Sequence, residues 1–299
     1  MSTDRKPWHG VMVATALPLR EDLSVDFDRY AEHVRRLIDS GCDGVCPNGS
    51  LGEYQSLTAD ERARVVRTAV DAIGGDRVMP GVGAYGSAES RRWAEQAREA
   101  GAASVLLLPP NAYRADERIV EAHYAEVARA GLPIVAYNNP YDTKVDLTPP
   151  LLARLYGEGH IVAVKEFSGN VRRAYEIAEL SPGLDLLIGA DDVLLELAIA
   201  GAKGWIAGYP NALPEASVAL YRAAVAGDLE RALPLYRALH PLLRWDSRTE
   251  FVQAIKLSMD IAGRYGGPCR APRLPLAHEQ EKTVRAATEA FLEWRRRHA

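Results

Sequence analysis

One lysine stands where an amine can do covalent chemistry. Lys165 ends the apolar run Ile161-Val-Ala-Val164, so two-residue alternation puts Ile161, Ala163 and Lys165 on one face of a strand. If that face is interior, desolvation disfavours the ammonium, and the expectation is a neutral amine. Such an amine beside apolar walls attacks carbonyls and forms Schiff bases. A lone strand-terminal lysine more often snorkels to solvent, so Lys165 needs company to count. Tyr137 supplies it, ending the preceding apolar run at the equivalent height. Neighbouring strands lie about 4.8 Å apart, a separation that lets a phenol shuttle protons while a carbinolamine forms and dehydrates. Taken alone, Tyr137 reads equally well as a core aromatic with a satisfied hydroxyl. The turn Gly49-Ser-Leu-Gly-Glu53 is the third group. The N–H groups of Ser50 and Leu51 and the Ser50 hydroxyl can cradle a small carboxylate, although a plain strand–helix connection looks the same.

The elements that position these groups follow a regular rhythm. Short runs, apolar on both faces and bounded by Gly, Pro or Asn, predict strands over 11–16, 44–47, 77–82, 104–108, 133–137, 161–165, 185–189 and 204–208. Amphipathic stretches lie between them. Thr58-Ala-Asp-Glu61 is a capping box, Thr148-Pro149 starts another helix, and Phe27, Tyr30, Val34, Leu37 and Ile38 make one helical stripe. Gly41, Gly101, Gly131 and Gly201 each follow a helix, as C-cap glycines do. Eight strand–helix units in series predict a (β/α)8 TIM barrel. The rival, a doubly wound open sheet, calls for a Gly-rich phosphate turn after an early strand; Ala16-Leu-Pro-Leu19 stands there instead. From Gly227 the rhythm stops. Stretches 228–243, 249–261 and 276–298 read as helices, which divides the chain into a catalytic barrel (1–226) and a C-terminal helical extension packed on it (227–299). In a barrel the catalytic groups sit at the C-terminal ends of the strands, where Lys165, Tyr137 and the Gly49–Leu51 turn all fall.

Composition narrows the classes further. The 299 residues are 47% hydrophobic and 25% charged, with 36 Lys and Arg against 40 Asp and Glu, a net charge of −4. That balance gives no electrostatic reason to expect a nucleic acid or a membrane surface. No apolar run approaches the roughly 18 residues of a membrane span. The polar start Met-Ser-Thr-Asp-Arg-Lys-Pro-Trp and only 3 cysteines predict a cytoplasmic protein. The 7 histidines sit mostly on helices and loops, and His160 precedes the lysine-bearing strand, at the wrong end of a barrel. A metal-dependent aldolase is therefore not expected, nor is any cofactor. A sugar-phosphate substrate is disfavoured by Asp191-Asp192 in the loop after the strand at 185–189.

Taken as a set, Gly49-Ser-Leu-Gly-Glu53, Tyr137-Asn-Asn-Pro140, Val164-Lys165-Glu166, Gly189-Ala-Asp-Asp192 and Gly204-Trp-Ile-Ala-Gly208 resemble the dihydrodipicolinate synthase / N-acetylneuraminate lyase family of class I aldolases. The resemblance runs from about Gly10 to Arg270-Ala-Pro-Arg-Leu-Pro-Leu276. It implies a barrel with a C-terminal helical region, assembled as a homo-oligomer (a tetramer or dimer). It implies further that Lys165 forms the imine with a pyruvate-like 2-oxo acid, that Tyr137 relays protons, and that Gly49, Ser50 and Leu51 hold the carboxylate. Gly189 and Ile206 would line the imine pocket through backbone atoms.

Departures from the family pattern narrow the expected activity. True dihydrodipicolinate synthases carry two threonines where this chain has Ser50-Leu51, so one hydroxyl of their relay is missing. Their neighbouring-subunit tyrosine falls near Asn111-Ala112, with Tyr113 one residue off. Their arginine for the second substrate's carboxylate falls on Asp142, and an anion cannot replace a guanidinium there. The sialic acid lyase pattern departs at Lys165-Glu-Phe-Ser168 as well. Asn139 and Asp142 suit a hydroxylated or amine-bearing 2-oxo acid. The particular activity expected is elimination or deamination, as in pyrroline-4-hydroxy-2-carboxylate deaminase. The alternatives are a pyruvate-dependent aldolase, a 4-hydroxy-tetrahydrodipicolinate synthase-like condensation, or a non-catalytic regulator that binds a small acid. Glu166 points off the interior face and is expected to make a structural hydrogen bond.

Overall fold

Residues 5–110 and 114–298 are described by the structure, a computed structural model of the chain. Asn111, Ala112 and Tyr113, the stretch onto which the neighbouring-subunit tyrosine maps, lie outside the described residues. The doubly apolar runs become strands β1 (Gly10–Ala14), β2 (Gly44–Cys46), β3 (Val105–Leu107), β4 (Ile134–Asn138), β5 (Ala163–Glu166), β6 (Asp185–Ile188) and β7 (Gly204–Ala207). All pair in parallel, in the order β2-β1-β7-β6-β5-β4-β3. The amphipathic runs form α1 (Phe27–Asp39), α2 (Ala59–Ile73), α3 (Ser87–Ala100), α4 (Glu117–Ala128), α5 (Pro140–Thr143), α6 (Pro149–Gly157), α7 (Arg172–Leu180), α8 (Leu194–Ile199) and α9 (Pro214–Val225). After them come α10 (Leu229–Leu243), α11 (Phe251–Ile261) and α12 (His278–His298).

The expected strand at 77–82 needs correction. It is held by isolated bridges, Val45 to Val78 on one side and Gly81 to Leu106 on the other. Pro80 has no N–H to donate, so the ladder cannot run through it. The bonds that remain, Met79 N–H to the Val45 carbonyl (2.9 Å) and Leu106 N–H to the Pro80 carbonyl (2.9 Å), still place the segment between β2 and β3. It closes the ring as an eighth, irregular stave.

The interior shows the closure directly. Met12, Cys46, Met79, Leu106, Val135, Ala163, Leu187 and Ile206, one from each stave, form a single buried layer. Trp8 joins them and donates its indole N–H to Asp185 at 2.8 Å, at the start of β6. Above that layer, alternation brings Ala14, Tyr137 and Lys165 into the mouth. A second apolar cluster packs the outer strand faces against the helices and runs on to Val284 and Phe291 of α12, so the C-terminal helices share the barrel's core.

Local signals account for the helix ends. The capping box forms as expected: Glu61 N–H donates to Thr58 Oγ1 (3.2 Å) and Thr58 N–H to Glu61 Oε2 (2.9 Å). Gly41, Gly101, Gly131 and Gly201 all have φ between +78° and +97°, where a side chain would be strained. No helix among the described residues is long and apolar enough to cross a membrane.

Candidate active site

Lys165 and Tyr137 are direct register partners across β4 and β5. Both face a cavity of about 550 Å³ at the C-terminal mouth of the barrel. The Lys165 Nζ lies 4.2 Å from the centre of the Tyr137 ring and 5.7 Å from that of Phe167, which meets Tyr137 edge-on. Lys165 is 6% exposed, and among the described residues no hydrogen bond ties its amine down.

The expected neutral amine is not what surrounds it. Burial does push the Lys165 pKa down, but Tyr137, Asp246, Cys46 and Asp191 together outweigh burial and raise it above the ordinary lysine value. Burial raises the Tyr137 phenol and pushes the Cys46 thiol up to about 12, so neither carries charge near neutral pH. The negative charge that stabilises the ammonium therefore comes from the Asp246–Asp191 carboxyl pair. Lys165 rests charged, and must shed a proton to become a nucleophile.

The Gly49–Leu51 turn sits across the cavity. Asn48 enters it in the left-handed region (φ 56°), and its amide donates to the Arg62 carbonyl at 3.0 Å. A Cβ on Gly81 would stand 2.4 Å from the Asn48 carbonyl oxygen, so that stave needs glycine for the turn to approach. Gly49, Ser50 and Leu51 all line the cavity, and among the described residues no protein acceptor meets the N–H groups of Ser50 and Leu51. Two unmet donors and a hydroxyl on one turn are the groups a carboxylate cradle requires.

Asn139 and Asp142 complete the barrel-side wall. The Asn139 amide donates to Asp142 Oδ2 (2.8 Å) and reaches the Tyr137 hydroxyl at 3.4 Å, and Asp142 N–H returns a bond to Asn139 Oδ1 (3.2 Å). Ile206 also lines the cavity, but Gly189 does not. Its missing side chain serves close packing, since a Cβ there would meet the Glu166 carbonyl oxygen at 2.5 Å. Glu166 points outward, accepting from Asn138 (2.9 Å) and from Ser168 N–H (2.6 Å).

The opposite wall was missed by sequence reasoning. Asp246, Ser247, Arg248 and Thr249, from the segment joining α10 to α11, line the cavity, as do Phe251 at the start of α11 and Arg273. Arg273 donates to the Ser50 carbonyl at 3.4 Å. The Asp246 Oδ1 occupies space that Gly208 leaves open, 2.6 Å from where a Cβ would be. Beneath it Asp191 is fully buried and accepts from the Trp205 indole (2.8 Å) and from the N–H groups of Gly208 (3.2 Å) and Tyr209 (3.3 Å). Burial, then the neighbouring Asp246, pushes Asp191 up; burial pushes Asp246 up to about 7, against the pull of Lys165. The one available signal was Trp245-Asp-Ser-Arg-Thr249, a polar break between two apolar helices. Among the described residues no group of three His, Cys, Asp or Glu side chains is arranged to hold a metal ion.

A ring of parallel staves with a lysine and a phenol at its C-terminal mouth defines a lyase of the class I, Schiff-base type. Comparison with known proteins agrees. Residues 7–291 match the Dihydrodipicolinate synthetase family, and the chain belongs to it. It is 34% identical, over 93% of its length and 95% of the relative's, to the 4-hydroxy-tetrahydrodipicolinate synthase of Methanothrix thermoacetophila. The solved dihydrodipicolinate synthase of Aquifex aeolicus superposes with a TM-score of 0.90 at 28% identity, covering 95% of this chain and 98% of that one. YagE, a prophage protein of Escherichia coli K12 solved in complex with pyruvate, superposes with a TM-score of 0.88 at 26% identity over 95% and 98%.

Proposed function

We propose that this lyase forms an imine between Lys165 and a small 2-oxo acid or cyclic imino acid, and then eliminates a hydroxyl or amine group from it. A pyrroline-4-hydroxy-2-carboxylate deaminase is the specific reading. The observation that carries it is the buried Lys165 amine, free of hydrogen bonds and 4.2 Å from the Tyr137 ring, in a cavity of about 550 Å³.

The chemistry follows from the placement. Ser50 Oγ and the N–H groups of Ser50 and Leu51 hold the substrate carboxylate, which fixes the adjacent C2 carbon over Lys165. The amine, once deprotonated, adds to C2. Tyr137, a phenol at neutral pH, donates to the group that leaves C2: the oxygen of an oxo acid, which departs as water, or the ring nitrogen of a cyclic imino acid, which departs as the amine when the ring opens. The protonated imine is then the electron sink for removal of a proton at C3, and the enamine expels the group at C4. No metal is needed for these steps. The solved relative with pyruvate supports a 2-oxo acid as the part of the substrate nearest the lysine.

Condensation with aspartate semialdehyde is the second reading, favoured by the name of the 34% identical relative. Asp142, braced by Asn139 where synthases carry their carboxylate-binding arginine, stands against it. Borohydride reduction with pyruvate is the test. Wild-type protein is expected to gain a pyruvyl adduct at Lys165, and Lys165→Ala to gain none and lose turnover entirely. No adduct with any 2-oxo acid would favour a binding protein instead. Efficient consumption of aspartate semialdehyde would establish the synthase.

A further inference from the structure

We propose that Asp246 is the acid–base group of the elimination: its carboxylate takes the C3 proton from the Lys165-bound substrate and hands it to the departing hydroxyl or amine. This rests on the imine reading above.

The step needs a base beside the imine, and the obvious neighbour is unsuited. Burial keeps Tyr137 protonated, so its oxygen donates readily but accepts a proton poorly. Asp246 lines the same cavity and is close enough to Lys165 for each to alter the other's charge. Among the described residues its carboxylate accepts only from the Asp191 backbone N–H, which leaves hydrogen-bonding capacity for the substrate. Its place is nevertheless fixed. The backbone turns tightly there (Trp245 N–H to the Leu242 carbonyl, 2.8 Å; Asp246 N–H to the Leu243 carbonyl, 3.1 Å), and Trp245 is buried. Ser247 Oγ donates to Asp192 Oδ1 at 3.2 Å, pinning the segment to the loop after β6.

The surrounding charges set its working form. Lys165 from β5, Tyr137 from β4, Asp191 and Asp192 from the loop after β6, and Tyr209 after β7 face it, with Arg248 on its own segment. Two buried carboxylates this close cannot both keep full charge. Burial and the charge of Asp246 push Asp191 up furthest, so the shared proton goes to Asp191 and Asp246 is left as the carboxylate that a base must be. A carboxyl that titrates at about 7 exchanges protons in both directions at neutral pH.

The electron count closes without a co-reactant. The C3–H bond breaks to Asp246, and its electrons make the C2–C3 double bond of the enamine as the imine nitrogen takes up the displaced pair. That pair then returns, C3–C4 becomes the double bond, and the C4 substituent leaves with its electrons while Asp246 protonates it. Asp246 ends as the carboxylate it began as.

Pyruvate alone tests the assignment. Its methyl group exchanges for deuterium in D2O only if an imine forms and a base removes the C3 proton. Wild-type protein should form the borohydride adduct and exchange the methyl protons, at a saturating rate that rises with pH through about 7 as Asp246 deprotonates. Asp246→Asn should keep the adduct but exchange at least about 10²-fold more slowly, without that rise; Asp246→Glu should restore part of both. Exchange by Asp246→Asn at about the wild-type rate with the rise intact would overturn the proposal and leave the imine standing. So would loss of the adduct in both variants, which would make Asp246 a holder of the lysine's charge. Wild-type protein with no adduct would remove the imine itself.

Discussion

The two walls of the cavity are built by different means. On one side Tyr137 and Lys165 stand side by side because β4 and β5 pair in register, with Val135 and Ala163 one alternation below them. On the other, Asp246, Arg248 and Arg273 arrive on chain that belongs to no stave. The first wall holds the atoms proposed to bond the substrate, and backbone hydrogen bonds fix their spacing. The second sets the charge around those atoms and is fastened to the barrel by side-chain ties: Arg270 to Glu61 (2.6 Å), Lys256 to Glu53 (2.7 Å) and Arg273 to the Ser50 carbonyl. Rigid staves therefore place the proposed nucleophile, while a tethered segment tunes its proton affinity.

That division can be broken from either side. The largest expected effect is on the first wall. Tyr137→Phe should slow turnover by about 10²–10⁴-fold, the usual worth of a positioned proton donor, with the chain still folded and Lys165 still trapped by borohydride at a reduced rate. Single-turnover kinetics of adduct formation would measure it; an unchanged rate would hand the proton to water or to the carboxylates opposite.

The tie between the walls comes next. Lys256 and Glu53 are an ion pair with both side chains almost fully buried. Glu53 also accepts from Arg270 N–H (2.8 Å), so it fastens the strand-two turn to the C-terminal segment twice. Lys256→Met leaves a buried carboxylate without its cation and should destabilise the fold by about 3–5 kcal/mol. Urea denaturation would show it. Adding Glu53→Gln should recover part of the loss, since the penalty comes from the unpaired charge. A single variant as stable as wild type would mean that the C-terminal segment is held by packing and not by this pair.

What the sequence disclosed follows the same line. Lys165, Tyr137 and Gly49–Leu51 were legible because strand alternation and turn residues are local signals, and a barrel puts strand ends together. The stave at 77–82 was legible as an apolar run, but Pro80 makes it irregular. Asp246 was hidden, because nothing local connects a break between two helices to a lysine on a strand. The charge of Lys165 was misjudged for the same reason: burial is readable from an apolar run, whereas Asp191 and Asp246 come near only after folding. Glu53 likewise read as an ordinary turn residue until Lys256 closed on it.

The smallest expected effect tests whether the second wall works through position. Gly208 directly follows β7 with φ −89°, a conformation open to any residue, so alanine brings no backbone strain. Its Cβ would lie 2.6 Å from Asp246 Oδ1 and 2.8 Å from Ile255 Cδ1. Both are the ends of side chains that can swing aside, so Gly208→Ala should fold with a loss of about 1–3 kcal/mol. What must move is the Asp246 carboxyl, away from Lys165. If its placement matters, the adduct with pyruvate should form as before while methyl deuterium exchange falls about 10- to 100-fold, the scale of an ångström's misplacement. Exchange that survives the displacement would show that the second wall acts by its charge at a distance, and that Asp246 need not touch the substrate.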